Sequence, residues 1–217
     1  MNEKPVYYDE EQRKEILEFI TDQWGDDGDG FVCHEIKSDF VHTDIKAIGR
    51  EGARKVFVTF GAGARKMNAP FPDRSRIELV MYCSEKMSIA EDLKDFGRCS
   101  ALCAELASLS KYPFRKDTWL GLGHTVNATE NFVEEFGYGY FLFAEHVEKA
   151  HLSGIGDVRF LIAIPVFKEE KDWMASHENG SVRFLIAYYE TFQRGGNTDE
   201  MFLIDVDRPL IIPPGNE

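Results

Sequence analysis

Thr118-Trp119-Leu120-Gly121-Leu122-Gly123-His124-Thr125-Val126 is the segment that most limits which folds are possible for this chain. It combines a tryptophan, two closely spaced glycines and a histidine, and the pattern predicts a loop. A loop of this composition suggests three kinds of site: a phosphate loop, a metal site or a nucleophile site. Each kind requires particular partner residues, which the rest of the sequence must supply.

The glycines of this segment are too few for a phosphate-binding fingerprint. Trp119 is expected to be a buried anchor, and Gly121 and Gly123 would let the backbone pass close to a sheet. His124 could then form a hydrogen bond with a backbone carbonyl group. On the residues alone, a structural corner and a binding loop are both open.

Two other segments have the composition of ligand-binding loops without the spacing. Residues 61–66 (Gly-Ala-Gly-Ala-Arg-Lys) follow a predicted strand, but they lack the third glycine of a dinucleotide fingerprint and the GK[ST] ending of a P-loop. The acidic turn at residues 25–30 does not match a calcium loop in the frames beginning at Asp22 or Asp27. We therefore predict no bound cofactor.

Histidine and aspartate side chains are the candidate metal ligands. His42 and Asp44 would lie on one face of a strand, because residues two apart in a strand point the same way. That gives two ligands, whereas a structural zinc needs four and a catalytic zinc three. We predict a hydrogen-bonded sheet edge and no metal, and a metal-dependent enzyme built on His42, Asp44 and His124 is the third hypothesis. The full candidate set is His34, Asp39, His42, Asp44 and His124.

No catalytic residue is predicted. The chain has no G-x-S-x-G motif. Cys33 and His34 are neighbours that would face opposite sides of a strand, so they do not form a nucleophile and base pair.

Composition limits the choice of partner and compartment. The chain has 217 residues with 25 basic and 38 acidic side chains, a net charge of −13, which argues against nucleic acid or an anionic membrane as the partner. The longest apolar run, residues 160–167, is far shorter than the roughly 20 residues of a membrane helix. Its 4 cysteines form no CxxC pair, so we expect buried thiols and a cytoplasmic location.

Periodicity predicts one α+β domain with a mixed, mostly antiparallel sheet packed with helices. Asp9 and Gln12 have the spacing of a helix cap, and Tyr112-Pro113 is expected to end the helix that starts at residue 92. An N-terminal helix and acidic turn (residues 1–30) belong to the domain at 31–208, and residues 209–217 form a tail. Helices are expected at residues 10–24, 92–109 and 168–177. The pattern at residues 182–192 is ambiguous between strand and helix, and its apolar spacing favours a helix. Strands are expected at residues 31–36, 40–48, 55–60, 77–83, 139–144, 158–167 and 200–206.

Five segments, in chain order, are similar to the Suppressor of fused domain family, of the bacterial single-domain type. The resemblance as a whole runs from about residue 31 to 206, with departures at Ala62-Gly63, where Met-Ser is usual, and at Leu122, where Trp is common. The segments are His34 to Asp44, Val58 to Gly61 with Met67-Asn68, Arg76 to Val80, Thr118 to Thr125, and Phe160 to Val166 with Glu169-Glu170. The family-motif positions, expected to be structural rather than binding, are His34, Glu35, Asp39, His42, Asp44, Gly61, Met67, Thr118, Trp119, Gly121, Gly123, His124 and Thr125.

The resemblance implies a mixed α/β domain that binds proteins and has no established enzymatic chemistry. Related bacterial domains resemble immunity proteins of polymorphic toxin systems, which neutralise a toxin domain by binding it. We therefore expect a protein partner, with a basic toxin domain as the leading candidate. A general protein-interaction scaffold without a toxin link is the alternative.

Overall fold

The computed structural model describes residues 4–25, 31–35, 39–49, 54–87, 98–196, 201–204 and 208–213. These residues contain five α-helices and seven strands, which form one α+β domain as expected. The helices are α1 (Glu10–Trp24), α2 (Arg98–Arg115), α3 (Glu130–Phe136), α4 (Lys168–Ser176) and α5 (Gly180–Arg194). The strands are β1 (Phe31–Cys33), β2 (Asp44–Ile48), β3 (Lys55–Phe60), β4 (Ile77–Cys83), β5 (Thr125–Asn127), β6 (Tyr140–Leu152) and β7 (Gly156–Val166).

The sheet is mixed and mostly antiparallel, as the sequence predicts. Its strand order is β1-β2-β3-β4-β7-β6-β5. Among the described strands only β4 and β7 pair in parallel, with Ile77 opposite Arg159 and Val80 opposite Ile162. This pair joins the β1–β4 meander to the β7–β6–β5 meander, so both halves of the chain share one sheet.

Helices cover both faces of the sheet. Helices α2 and α3 pack on one face, where Leu102, Leu106 and Phe132 are fully buried. Helices α1, α4 and α5 pack on the other face, which holds a second apolar core. Strands β3 and β4 are buried along their whole length, because helices cover both faces of the sheet. Their sequences are accordingly almost continuous apolar runs.

Local capping fixes the start of α1. Asp9 Oδ1 accepts a hydrogen bond from the Gln12 amide at 2.9 Å, and Gln12 Oε1 accepts one from the Asp9 amide at 3.2 Å. This is the reciprocal capping box that the spacing predicts. The helix then buries Ile16 and Ile20 against the sheet.

Several predicted boundaries are wrong for identifiable reasons. Helix α2 continues through Pro113 to Arg115, since the proline lies in the last turn and its ring is buried. The strand predicted at 40–48 begins only at Asp44, because Phe40 has a φ of +63°. The strand predicted at 31–36 ends at Cys33. Residues 201–204 form a turn with a single bridge from Leu203 to Tyr82 instead of a strand.

Strand β6 and its neighbours differ most from the prediction. It extends to Leu152 and forms a long hairpin with β7, in place of the short strand predicted at 139–144. Helix α3 and strand β5 are not predicted at all. Several predicted residues lie outside the described part of the chain: 26–30 of the acidic turn, 36 of the first predicted strand, 92–97 of the second predicted helix, and 200 and 205–206 of the last predicted strand.

Candidate functional site

The segment from Thr118 to Thr125 forms a tight corner at the edge of the sheet. The ring of Trp119 lies so close to Gly121 that a Cβ atom there would be 2.4 Å from its Cζ3 atom. His124 contacts the same ring edge-on, with centroids 4.3 Å apart, and its Nδ1 lies 3.3 Å from the Trp119 carbonyl oxygen. Trp119 is half-buried against the α2 side of the core, where full burial was expected.

Backbone hydrogen bonds attach this corner to β6. The Gly123 amide, at a φ of +80°, donates to the Phe143 carbonyl at 2.8 Å, and the Phe143 amide donates to the His124 carbonyl at 3.0 Å. Thr125 then begins β5, the edge strand. Thr118 is held at the other end, where its amide donates to the Pro113 carbonyl at 2.9 Å. The motif positions therefore shape the backbone of the corner.

The tip of the corner carries an exposed apolar side chain that meets helix α5. Leu122, Val182, Ile186 and Tyr189 are 47% to 56% exposed, and together they form what we call the α5 patch. With Leu185 they line a groove of about 500 Å³. The three α5 residues follow the i, i+4, i+7 spacing of one helix face, while the opposite face is buried in the core. The sequence signal for this patch was a helix that is apolar on more than one face.

The glycine-rich segment after β3 binds an internal carboxylate in place of a phosphate. The amides of Gly61 and Gly63 donate to Oε1 of Glu78 at 2.9 and 3.0 Å. The Tyr8 hydroxyl donates to the same oxygen at 2.7 Å, and the Thr59 hydroxyl donates to Oε2 at 2.6 Å. The carboxyl group of Glu78 is fully buried, and its four donors come from two parts of the chain, Tyr8 and residues 59–63.

Burial controls the acidity of this cluster. Loss of solvent raises the pKa of Glu78 from 4.5 to about 7, although the four hydrogen bonds oppose the shift. Burial also raises the pKa of Tyr8 well above its ordinary value, and the neighbouring Glu78 adds to this effect. Met67, another motif position, follows the glycine-rich segment in the chain. Its side chain is buried, and its amide donates to the Ser75 carbonyl at 2.7 Å.

Four of the predicted polar residues lie together at the β1–β2 end of the sheet. Asp44 is buried, and its carboxylate oxygens lie 3.2 Å from His34 Nδ1, 3.0 Å from His42 Nε2 and 3.1 Å from Arg13 Nη2. The Glu35 amide also donates to Asp44, at 3.2 Å. Asp44 is therefore surrounded by donors of the protein itself.

Glu35 extends this network to helix α2. Its carboxylate accepts from the Thr43 amide at 3.0 Å and forms an ion pair with Lys111. The two other metal candidates are elsewhere: Asp39 is exposed beside Val41, and His124 is in the corner described above. Within the described residues, no group of three His, Cys, Asp or Glu side chains is arranged to hold a metal ion.

A buried ion pair joins Arg208 to Glu170, and no sequence pattern predicted it. Arg208 donates to both oxygens of Glu170, at 2.5 and 2.6 Å, and both side chains are almost fully buried. Arg208 also donates to the Pro165 carbonyl at 2.8 Å. The Ile211 amide donates to Glu170 at 2.9 Å, and Ile211 is buried, so the predicted tail packs on the domain at this residue.

These features describe an α+β domain in which one mixed sheet of seven strands carries helices on both faces. None of the described helices is both long and apolar enough to span a membrane. Over residues 41–209 the sequence matches the family described as Suppressor of fused protein (SUFU). The chain belongs to the Suppressor of fused family, as the resemblance of its motifs implied.

Solved structures have the same fold. The chain is similar to a protein in the Sufu–Fu complex crystal structure, with a TM-score of 0.68 and 14% identity, covering 95% of this chain and 93% of that one. For a SUFU homolog from Neisseria gonorrhoeae the TM-score is 0.57 at 17% identity, and the coverages are 94% and 98%. For Drosophila Suppressor of Fused the TM-score is 0.65 at 16% identity, covering 95% of this chain and 52% of that one. A comparison with curated protein sequences gave no match.

Proposed function

We propose that this chain is a non-enzymatic domain that binds another protein through the α5 patch. The observation that supports this most is the exposure of Leu122, Val182, Ile186 and Tyr189 around one groove. A contiguous apolar surface on a folded domain is typical of a protein-binding site. The patch includes the tip of the corner motif, so the motif would position one contact residue without binding anything through His124.

The proposed partner is a basic toxin domain, and the chain would act as its immunity protein in the cytoplasm. The net charge of −13 supports this choice, because an acidic protein associates quickly with a basic partner and can cover its charged surface. The similarity to a protein in the Sufu–Fu complex supports protein binding in general. The affinity would come from the α5 patch and the speed of association from the charge.

Co-expression with the toxin domain encoded beside the gene tests this proposal. We expect rescue of growth and a complex that elutes as one species from a sizing column. Ile186→Asp combined with Tyr189→Asp should weaken that complex by at least about 2 kcal/mol, since central apolar contacts dominate such interfaces. Val147→Asp is the matched control, because Val147 is 92% exposed on β6, outside the patch. Toxicity without rescue, together with no complex, would contradict the toxin link.

The alternative is a general interaction scaffold that uses the same patch. Neighbouring genes that encode no toxin domain would favour it, provided that the double α5 variant still loses its protein partner in a pull-down and Val147→Asp does not.

The third hypothesis, a metal-dependent enzyme at His42, Asp44 and His124, requires stoichiometric metal in the purified protein, which elemental analysis measures directly. Because His124 lies apart from the Asp44 network, we do not favour it.

A further inference from the structure

The four cysteines of this chain gather on the α2 side of the sheet. Cys83, at the end of β4, and Cys99 and Cys103, in α2, are all buried in that core, and Cys33 of β1 packs against it. All four are thiols. Residues from three different elements are therefore brought into one sulfur-rich region that the proposed protein-binding function does not use.

Within this region, Cys33 and Cys103 are neighbours. Cys33 lies opposite Ile45 in the β1–β2 register, so its side chain shares the face on which α2 packs. The thiols of Cys33 and Cys103 are joined by a hydrogen bond. Cys33 is half-buried and open to small solutes, whereas Cys103 is only 4% exposed.

The hydrogen bond makes the two thiols chemically unequal. It lowers the pKa of Cys33 to about 7, against the opposing effect of partial burial. The same bond raises the pKa of Cys103, and burial and the nearby thiols of Cys99 and Cys83 raise it further. Cys33 is therefore the thiol that loses its proton more readily, and Cys103 is the one that keeps it. An accessible thiolate beside a buried thiol is the arrangement of an attacking and a resolving cysteine.

We propose that Cys33 and Cys103 form a reversible redox pair that responds to peroxides. The Cys33 thiolate attacks one oxygen of a hydroperoxide, the O–O bond breaks, and Cys33 becomes a sulfenic acid while the other oxygen leaves as hydroxide or alkoxide. Cys103 then attacks the Cys33 sulfur, its proton goes to the departing hydroxyl group, and water leaves as the S–S bond forms. The two thiols lose two electrons, which reduce the peroxide, and a small dithiol returns the pair to the reduced state.

The position of Cys33 allows the movement that this bond requires. A disulfide has an S–S distance of about 2.05 Å and usually brings the two Cα atoms to less than about 7 Å. Strand β1 has three residues and, among the described strands, pairs only with β2, so it can shift toward α2 without breaking a central strand. The crosslink would tie the sheet edge to the helix that covers it.

Hydrogen peroxide titration of the full chain tests the proposal. We expect the mass to fall by two hydrogen atoms, a non-reducing peptide map to join the peptides of Cys33 and Cys103, and dithiothreitol to reverse both changes. Alkylation of Cys33 by iodoacetamide should have a midpoint near pH 7, set by its thiolate. Cys33→Ser should abolish the crosslink, and Cys103→Ser should stop at a sulfenic acid that dimedone traps.

Cys99→Ser is the matched control, because it removes a buried α2 thiol outside the pair and should leave the crosslink intact. Three results would overturn the proposal: a disulfide between other cysteines, over-oxidation of Cys33 without a crosslink, or an alkylation midpoint above about pH 8.5, the value of an unperturbed thiol. The peptide map and the alkylation profile use the unmodified protein, so they decide the question even if a variant does not fold.

Discussion

At the scale of single residues, the glycine-rich segment after β3 shows that the amides of such a loop can bind an anion that belongs to the protein itself. Amides of Gly61 and Gly63 converge on an anion, as in a phosphate loop, but the anion is the side chain of Glu78. The sequence excluded nucleotide binding by counting glycines. It could not indicate the internal acceptor, because Glu78 is apart from the loop in sequence and reaches it only through the β3–β4 pairing.

Glu78 should make the stability of the fold depend on pH. Its pKa is about 7 in the folded protein and 4.5 ordinarily, so between these values the folded state keeps a proton that the unfolded chain releases. The stabilisation is complete below about pH 4.5 and is lost as the pH rises to about 7. The unfolding free energy of the parent protein should fall by roughly 3 kcal/mol over this window, and Glu78→Gln should abolish that fall.

Urea titrations on either side of this window measure the effect. Glu130→Gln, which changes an exposed glutamate of α3, is the control. A Glu78→Gln variant whose unfolding free energy varies with pH as strongly as that of the parent would contradict the assignment.

Gly61 should tolerate no side chain. Its φ is +121°, and a Cβ atom would lie 2.1 Å from the backbone carbonyl oxygen of His42, which cannot move aside cheaply. We expect Gly61→Ala to lower the unfolding free energy by more than about 3 kcal/mol. Gly137→Ala separates backbone strain from the clash, because Gly137 has a φ of +80° with open space around it, and it should cost only about 1 kcal/mol. Equal losses in thermal or chemical unfolding would rule out the steric explanation.

At the scale of elements, strands buried on both faces are predicted well and exposed ones poorly. The bounds of β3 and β4 match the prediction, since their apolar runs are uninterrupted. The outer half of β6 was missed because Glu145 to Lys149 is polar and interrupted by a bulge. Helix α3 had two usable signals, Thr129 as the N-cap and Gly137 in the left-handed conformation after the last turn.

The Glu170–Arg208 pair should be the joint that holds the C-terminal segment to α4. Removing Arg208 leaves the buried carboxylate of Glu170 without its charged partner, so we expect Arg208→Ala to cost about 3–5 kcal/mol of unfolding free energy. Arg194→Ala is the control, since its pair with Glu190 is exposed on α5 and should contribute less than about 0.5 kcal/mol. Chemical denaturation of both variants measures the difference, and a loss below about 1 kcal/mol for Arg208→Ala would show that the buried pair is not a stabilising joint.

At the scale of the whole molecule, the sequence predicted the class of fold but not its topology. The mixed sheet, the single domain and the family follow from strand patterns and motifs. The parallel β4–β7 pair does not, because it joins residues far apart in the chain and no local pattern encodes it. The α5 patch depends on the same topology, since Leu122 and Ile186 meet only after the corner and the helix pack.

Net charge should control how fast the proposed basic partner associates with this chain. With a charge of −13, association should be steered by attraction over distances that salt screens. We expect the association rate constant to fall by about tenfold or more between low and high salt, while the dissociation rate constant changes little. Surface plasmon resonance at several salt concentrations measures both rates. The Ile186→Asp and Tyr189→Asp double variant should do the opposite, mainly speeding dissociation, because it removes apolar contact at short range. A salt-independent association rate would mean that the charge keeps the protein dispersed and does not select its partner.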